Sequence, residues 1–290
     1  MKNSNYNFRM KRITDPRSGY YHKNGRGGTA YESFVPQPLQ HIVINVEDKG
    51  HNGQEPALLA LADKALEHLK AKDAEGKEMT EEIAESSVRL EWNVPSMVLL
   101  SLGNETEKKK RDIDQQNMVR AIRYGIDCLE RLPLSGRLLK DLHWVAMQGE
   151  HNEKKYPGEF RTSPIWMGDE HDTLESAPFI PPAPDDMLKA FYDLEQYINA
   201  DDDVHPLIKA ALIHYQFEVI HPFIDGNGRV GQLLTLLFLN ERGILKGAAV
   251  NLPRVFHLRQ FPYFTGLASV EISGTYEKWV RFFLEALMVA

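Results

Sequence analysis

Within nine residues, His221-Pro222-Phe223-Ile224-Asp225-Gly226-Asn227-Gly228-Arg229, the chain places an imidazole, a carboxylate, an amide between two glycines, and a guanidinium. Each type suits one part of a reaction on phosphate. His221 carries the one side chain here whose ordinary pKa makes it a base near neutral pH. Asp225 is a hard oxygen ligand of the kind Mg²⁺ takes beside a di- or triphosphate. Gly226-Asn227-Gly228, opening a helix, leaves main-chain N–H groups aimed at one spot, which favours an anion. Arg229 can add a charged fork for phosphate. Base, metal ligand and phosphate cradle together point to transfer chemistry on a nucleotide.

The flanking residues must hold this stretch in place. Residues 210–220 read as a helix, and 232–239 read as a second, largely buried one, so the motif lies on the turn between them. Elsewhere, Leu58, Leu59, Leu61, Ala62, Ala65, Leu66 and Leu69 recur at three-and-four spacing and predict a helix from about 58 to 69. A second is predicted from the cap-like Thr80 to about 94, and further helices over 114–132, 135–147, 184–198, 205–220, 228–242 and 277–288. Residues 162–168 and 177–182 are β-prone runs around a polar turn and predict a hairpin. Residues 25–28 read as a loop, 34–39 as extended, and 41–46 as a short strand. The expected organisation is an extended arm over 1–54 that wraps one mainly α domain over 55–290, with the hairpin inserted.

Composition narrows the setting. A chain of 290 residues with 42% hydrophobic and 26% charged content is ordinary for a soluble globular protein. A net charge of −7 does not advertise nucleic acid, and Lys108-Lys109-Lys110-Arg111 reads as a solvated helix face. The single cysteine, Cys128, excludes an intrachain disulfide and reads as a buried thiol, which fits a reducing compartment. The first residues lack the apolar core of a signal peptide, and no apolar run approaches a membrane span. A cytoplasmic location is therefore expected.

The nine-residue stretch resembles the signature of the Fic (filamentation induced by cAMP) family, His-x-Phe-x-Asp/Glu-Gly-Asn-Gly-Arg-x-x-Arg. Seven of the eight specified positions match, and Gln232 stands where the family usually has its last Arg. The resemblance implies a Fic-type helical bundle with a core over about 114–290. Gly158-Glu159-Phe160-Arg161 and the residues after it look like the family's flap, a β-hairpin beside the active site. That implies a target-docking role for Thr162, Ser163, Pro164 and Ile165 through strand-like main-chain pairing. Ser87-Val88-Arg89-Leu90-Glu91 resembles the family's inhibitory motif, Ser/Thr-x-x-x-Glu-Gly/Asn, although Trp92 replaces the final small residue. In this family a motif placed before the core marks an inhibitory helix in the same chain, here over about 80–94. Its Glu normally pairs with the last signature Arg and displaces the γ-phosphate. With Gln232 in that place, the resemblance implies a weaker brake by Glu91, or altered nucleotide binding.

The function this implies is transfer of AMP from ATP to a Tyr, Ser or Thr hydroxyl of a target protein. His221 would be the base and Asp225 the Mg²⁺ ligand. Gly226, Asn227, Gly228, Arg229 and Gln232 would line the phosphate site. Gln260 and Tyr263 fall where the family often lines its nucleobase pocket. Phe223 is expected to anchor the loop in the core. Partners are ATP and a protein target. Self-modification and a homodimer stay open, and neither membrane nor direct nucleic-acid binding is expected. Removal of AMP, with Glu91 catalytic, transfer of another nucleotide or phosphate group, and a non-catalytic nucleotide sensor are the alternative readings.

Overall fold

Two helices that are apolar almost all round form the centre of the protein. In the computed structural model, which describes residues 14–27, 30–50, 52–91, 105–168 and 171–290, they are α6 (Pro206–Ile220) and α7 (Asn227–Glu241). From Leu207 to Ile220 every residue of α6 is buried, as is every residue of α7 from Arg229 to Leu239. A helix without a polar face must be surrounded. The surrounding helices are α1 (Leu58–Ala74), α2 (Thr80–Glu91), α3 (Glu105–Leu129), α4 (Gly136–Ala146), α5 (Pro184–Asn199), α8 (Leu252–Leu258), α9 (Gln260–Ser273) and α10 (Tyr276–Leu287).

Packing follows the apolar stripes. α1, α5 and α10 lie on α6, while α2, α3 and α4 lie on α7. Trp279 of α10 is fully buried and donates its indole N–H to the Ala211 carbonyl of α6 at 2.7 Å. Ser135 caps α4 by accepting the Leu138 N–H, and Asn251 caps α8 by accepting the Arg254 N–H. Proline in the first turn starts α5, α6 and α8, where its missing N–H costs nothing. Cys128 is buried.

The described part of the N-terminal arm differs from expectation. Strands β1 (Gly19–Asn24) and β2 (Tyr31–Pro36) pair antiparallel, with Gly19 opposite Pro36 and Asn24 opposite Tyr31. Residues 41–46 are not a strand. A 3₁₀ turn covers Leu39–His41, and the main chain beyond it bonds locally, to α1 or to side chains of α10, with the Leu59 N–H donating to Val46 at 3.0 Å and the Asn45 N–H to Glu277 at 3.0 Å. Alternation in a short run predicts a strand only if a neighbouring strand is available to pair with it.

Among the described residues, the expected hairpin of 162–168 and 177–182 is reduced to one antiparallel bridge, Met167 with Phe179. Two helices were not foreseen, α8 and α9, and α3 begins nine residues before the expected start at 114. Residues 92–94 of the expected inhibitory helix lie outside the described residues. Among the described residues no helix is long and apolar enough to cross a membrane.

Candidate active site

α6 ends because His221 takes the left-handed conformation, φ 49° and ψ 64°, with its N–H bonded to Phe217 at 3.0 Å. Few non-glycine residues sit there, and Pro222 cannot continue the helix. Arg161 locks this end. Its Nε donates to the His221 carbonyl at 2.8 Å, and Nη2 donates to Ile220 at 3.3 Å and Pro182 at 2.6 Å. Nη1 donates to Ser163 at 3.2 Å, and the Arg161 main-chain N–H donates to Pro222 at 2.9 Å. A guanidinium on orphan carbonyls at a helix C-terminus is electrostatically favourable. Burial lowers its pKa to about 10, so it stays charged at neutral pH.

His221 is oriented by its own helix. Its Nδ1 lies 3.0 Å from the Glu218 carbonyl, which can only accept, so Nδ1 carries the proton and Nε2 keeps a lone pair. Burial pushes the pKa down to about 4, and the Arg161 charge adds to this against the Glu218 hydrogen bond. The imidazole is therefore neutral at pH 7, with an acceptor nitrogen.

The turn after it is self-bonded. Phe223 is fully buried, as expected, and its N–H donates to Asn227 Oδ1 at 2.9 Å. Asn227 Nδ2 returns a bond to the Phe223 carbonyl at 3.0 Å. The Asn227 amide, expected in the phosphate cradle, is thus 1% exposed and shapes the loop instead. Gly226 has φ 76°, and a Cβ there would meet Met147 Sδ at 2.5 Å, so only glycine fits. A Cβ at Gly228 would meet nothing within 4 Å. Gly228 therefore has open space beside its Cα, at a helix start whose orphan donors can take an anion.

Asp225 is held at three points. Its carbonyl lies 3.0 Å from His143 Nε2, its Oδ1 accepts the Gly226 N–H at 2.8 Å, and its Oδ2 pairs with the Lys155 ammonium. Burial raises its pKa, but Lys155, the Gly226 N–H and Arg229 outweigh this and hold it below the usual carboxylate value. His143 Nδ1 accepts the Gly158 N–H at 2.8 Å, so Nε2 is the donor to Asp225. The ring stacks on Phe223 at 3.8 Å, and burial lowers its pKa to about 4.

Two expected contacts turn inward. Arg229 is 2% exposed, and its guanidinium pairs with Asp114 of α3 at 3.3 Å and donates to Ala146 at 3.3 Å. The expected phosphate fork is engaged by a buried carboxylate, because a buried cation needs a partner. Tyr263 is 4% exposed. Its hydroxyl meets His214 Nε2 at 3.0 Å, while His214 Nδ1 meets Thr235 Oγ1 at 2.9 Å. That places Tyr263 in a buried polar chain among Phe256, Trp279 and Phe282 rather than in a nucleobase pocket. Gln260 begins α9 and is half-buried.

Gln232 is buried, and its Oε1 has no hydrogen-bond partner among the described residues. It lines a void of about 20 Å³ with Ile83 of α2 and with Thr235, Leu236, Leu239, Val250, Leu252 and Pro253. Ser87, one turn after Ile83, is fully buried, with its hydroxyl likewise unpartnered. Glu91 closes α2, and its side chain lies outside the described residues.

Thr162 and Ser163 are exposed, Pro164 and Ile165 half-buried. They follow Arg161 directly, so the contacts that lock His221 also place this segment beside it. Among the described residues, 162–165 make no main-chain to main-chain hydrogen bond.

No group of three or more His, Cys or carboxylate side chains among the described residues is placed to hold a metal ion by itself. Mg²⁺ commonly rests on one or two carboxylates plus substrate phosphates, and Asp225, already carrying a cation, fits that donor set. Sequence reasoning missed Arg161 as the lock, and also His143, Asp114 and Lys155. Only Arg161 lay in a recognised motif.

Helical packing and the signature turn together define a helical bundle built around a helix–turn–helix signature. Residues 133–239 match the Fic/DOC family model, and the chain carries a domain of that family. Over 140 residues it is 31% identical to "Protein adenylyltransferase Fic" of Drosophila erecta and 30% identical to that of Drosophila grimshawi. The alignment with the first covers 46% of this chain and 26% of the relative, so the chain spans about a quarter of the length of the curated relatives it matches. A Fic family protein from Desulfovibrio desulfuricans has a similar fold, with TM-score 0.56 and 23% identity over 79% of this chain and 72% of the other. A Fic domain containing signaling protein from Bacteroides thetaiotaomicron gives TM-score 0.56 and 18% identity over 80% and 91%.

Proposed function

We propose that this protein transfers AMP from ATP to a Tyr, Ser or Thr hydroxyl of a target protein, itself included. The observation that carries the reading is the fixed tautomer of His221 beside the open start of α7. The hydroxyl oxygen attacks the α-phosphorus, and its proton passes to His221 Nε2. The bond from the α-phosphorus to the bridging oxygen breaks, and pyrophosphate leaves. A neutral imidazole is ready to accept that proton at pH 7. The first N–H groups of α7 stabilise the charge that gathers on phosphate oxygens. Arg161 keeps His221 at the turn through the carbonyls of Ile220 and His221. Mg²⁺ held by Asp225 would offset charge on the α- and β-phosphates. The main-chain groups of 162–165 offer strand-like pairing to the target segment.

α2 acts as a brake on this site. It packs on α7 and α8, and its Ile83 lines the void under Gln232. Glu91, at the end of α2, competes with the nucleotide, and does so weakly because Gln232 offers it no cation. A buried thiol at Cys128 agrees with a cytoplasmic setting.

The test is incubation of the purified chain with Mg²⁺ and ATP labelled at either the α- or the γ-phosphate. Label on protein from the α-position alone supports AMP transfer. Label from the γ-position supports phosphoryl transfer instead, and nucleotide binding without any label leaves only a sensor.

A further inference from the structure

The Lys155–Asp225 contact has its own geometry. Lys155 ends the 3₁₀ turn Glu150–Lys155, and Tyr156 after it lies in the left-handed region, φ 52°. This reversal aims the chain at Gly158, whose N–H reaches His143, and so brings the Lys155 ammonium onto Asp225 Oδ2. The other oxygen, Oδ1, accepts the neighbouring Gly226 N–H at 2.8 Å and belongs to the turn itself. Oδ2 is thus the oxygen held by an exchangeable group. Lys155 and Asp225 side chains are 33% and 39% exposed, so the pair can open into water.

We propose that Lys155 is a resident counter-cation that competes with a divalent ion for Asp225. The inference rests on Asp225 being the carboxylate of a metal–phosphate site. Two cations cannot both sit in contact with Oδ2, because their mutual repulsion at that range opposes it. A divalent ion must therefore displace the ammonium. A half-exposed ion pair holds by an amount that corresponds to roughly 3- to 5-fold in an equilibrium constant. Lys155 then sets the metal concentration at which Asp225 becomes available, and it keeps that carboxylate neutralised at lower concentrations.

The experiment uses the full chain with ADP and Mn²⁺ as the probe, followed by paramagnetic broadening of the Asp225, Gly226 and Asn227 amide signals. Lys155→Met keeps the stem and removes the charge. It is expected to reach half-broadening at roughly 3- to 5-fold lower Mn²⁺ than wild type. Lys155→Arg, which keeps a cation, is expected to stay at or above the wild-type requirement. Asp225→Asn is expected to abolish the local broadening. An equal or higher Mn²⁺ requirement in Lys155→Met overturns the competition. Broadening that is absent around Asp225 in both wild type and Lys155→Met overturns the metal-site reading of Asp225 and this inference with it.

Discussion

His143 Nε2 donates to the main-chain carbonyl of Asp225 at 3.0 Å while its ring lies 3.8 Å from that of Phe223. One side chain on α4 thereby fixes both the apolar anchor and the carboxylate of the signature turn. His143→Phe keeps a stacking ring and removes both hydrogen bonds, leaving the Asp225 carbonyl and Gly158 N–H unpaired. The expected loss is about 2 kcal/mol in urea unfolding. Unchanged stability would show that the two bonds are not needed to hold the turn.

Asp114→Ala should be more severe. It strands the Arg229 guanidinium, 2% exposed, without its carboxylate. Breaking a buried pair from one side costs about 3–5 kcal/mol. Thermal melting checks this, and a near-normal melt would return Arg229 to the phosphate site.

These two pairs also explain what the sequence could and could not reveal. The base, the carboxylate and the glycines were legible because nine adjacent residues hold them. Asp114 meets Arg229 across 115 positions, and His143 meets Asp225 across 82. Each is one polar residue on an amphipathic helix, with no local pattern to mark it. Periodicity found α6 and α7 because their apolar residues are continuous. It missed α9, whose apolar residues Phe261, Phe264 and Ile272 face outward and whose first turn contains Pro262. The inward turn of Arg229 and Tyr263 was not legible, because residue type tells nothing of which way a side chain turns.

Stability should depend on pH through His143, His214 and His221, whose pKa values burial lowers to about 4. In the unfolded chain each titrates near 6.5. Between these values the unfolded state binds more protons, so stability rises with pH and is lost on acidification. The expected slope is about 1.4 kcal/mol per pH unit for each histidine. Urea unfolding from pH 4.5 to 6 measures it, and His143→Phe should lower the slope by one histidine's share.

The brake is tested by self-labelling across four proteins. Glu91→Gly should raise the rate modestly. Gln232→Arg should tighten both ATP binding and inhibition, since a charge-assisted pair is about twice as strong as a neutral one. The double variant should be the fastest. A lower rate in Glu91→Gly would mean that α2 does not inhibit, and loss of AMP removal from a modified substrate would make Glu91 catalytic.

The role of His221 as the base is settled by transfer from α-labelled ATP in His221→Ala. Labelling should fall roughly 10²–10⁴-fold, the usual loss for a general base. ATP affinity should stay within a few-fold of wild type, because the main-chain N–H donors that open α7 do not depend on the imidazole. Near-normal labelling by His221→Ala would contradict that role.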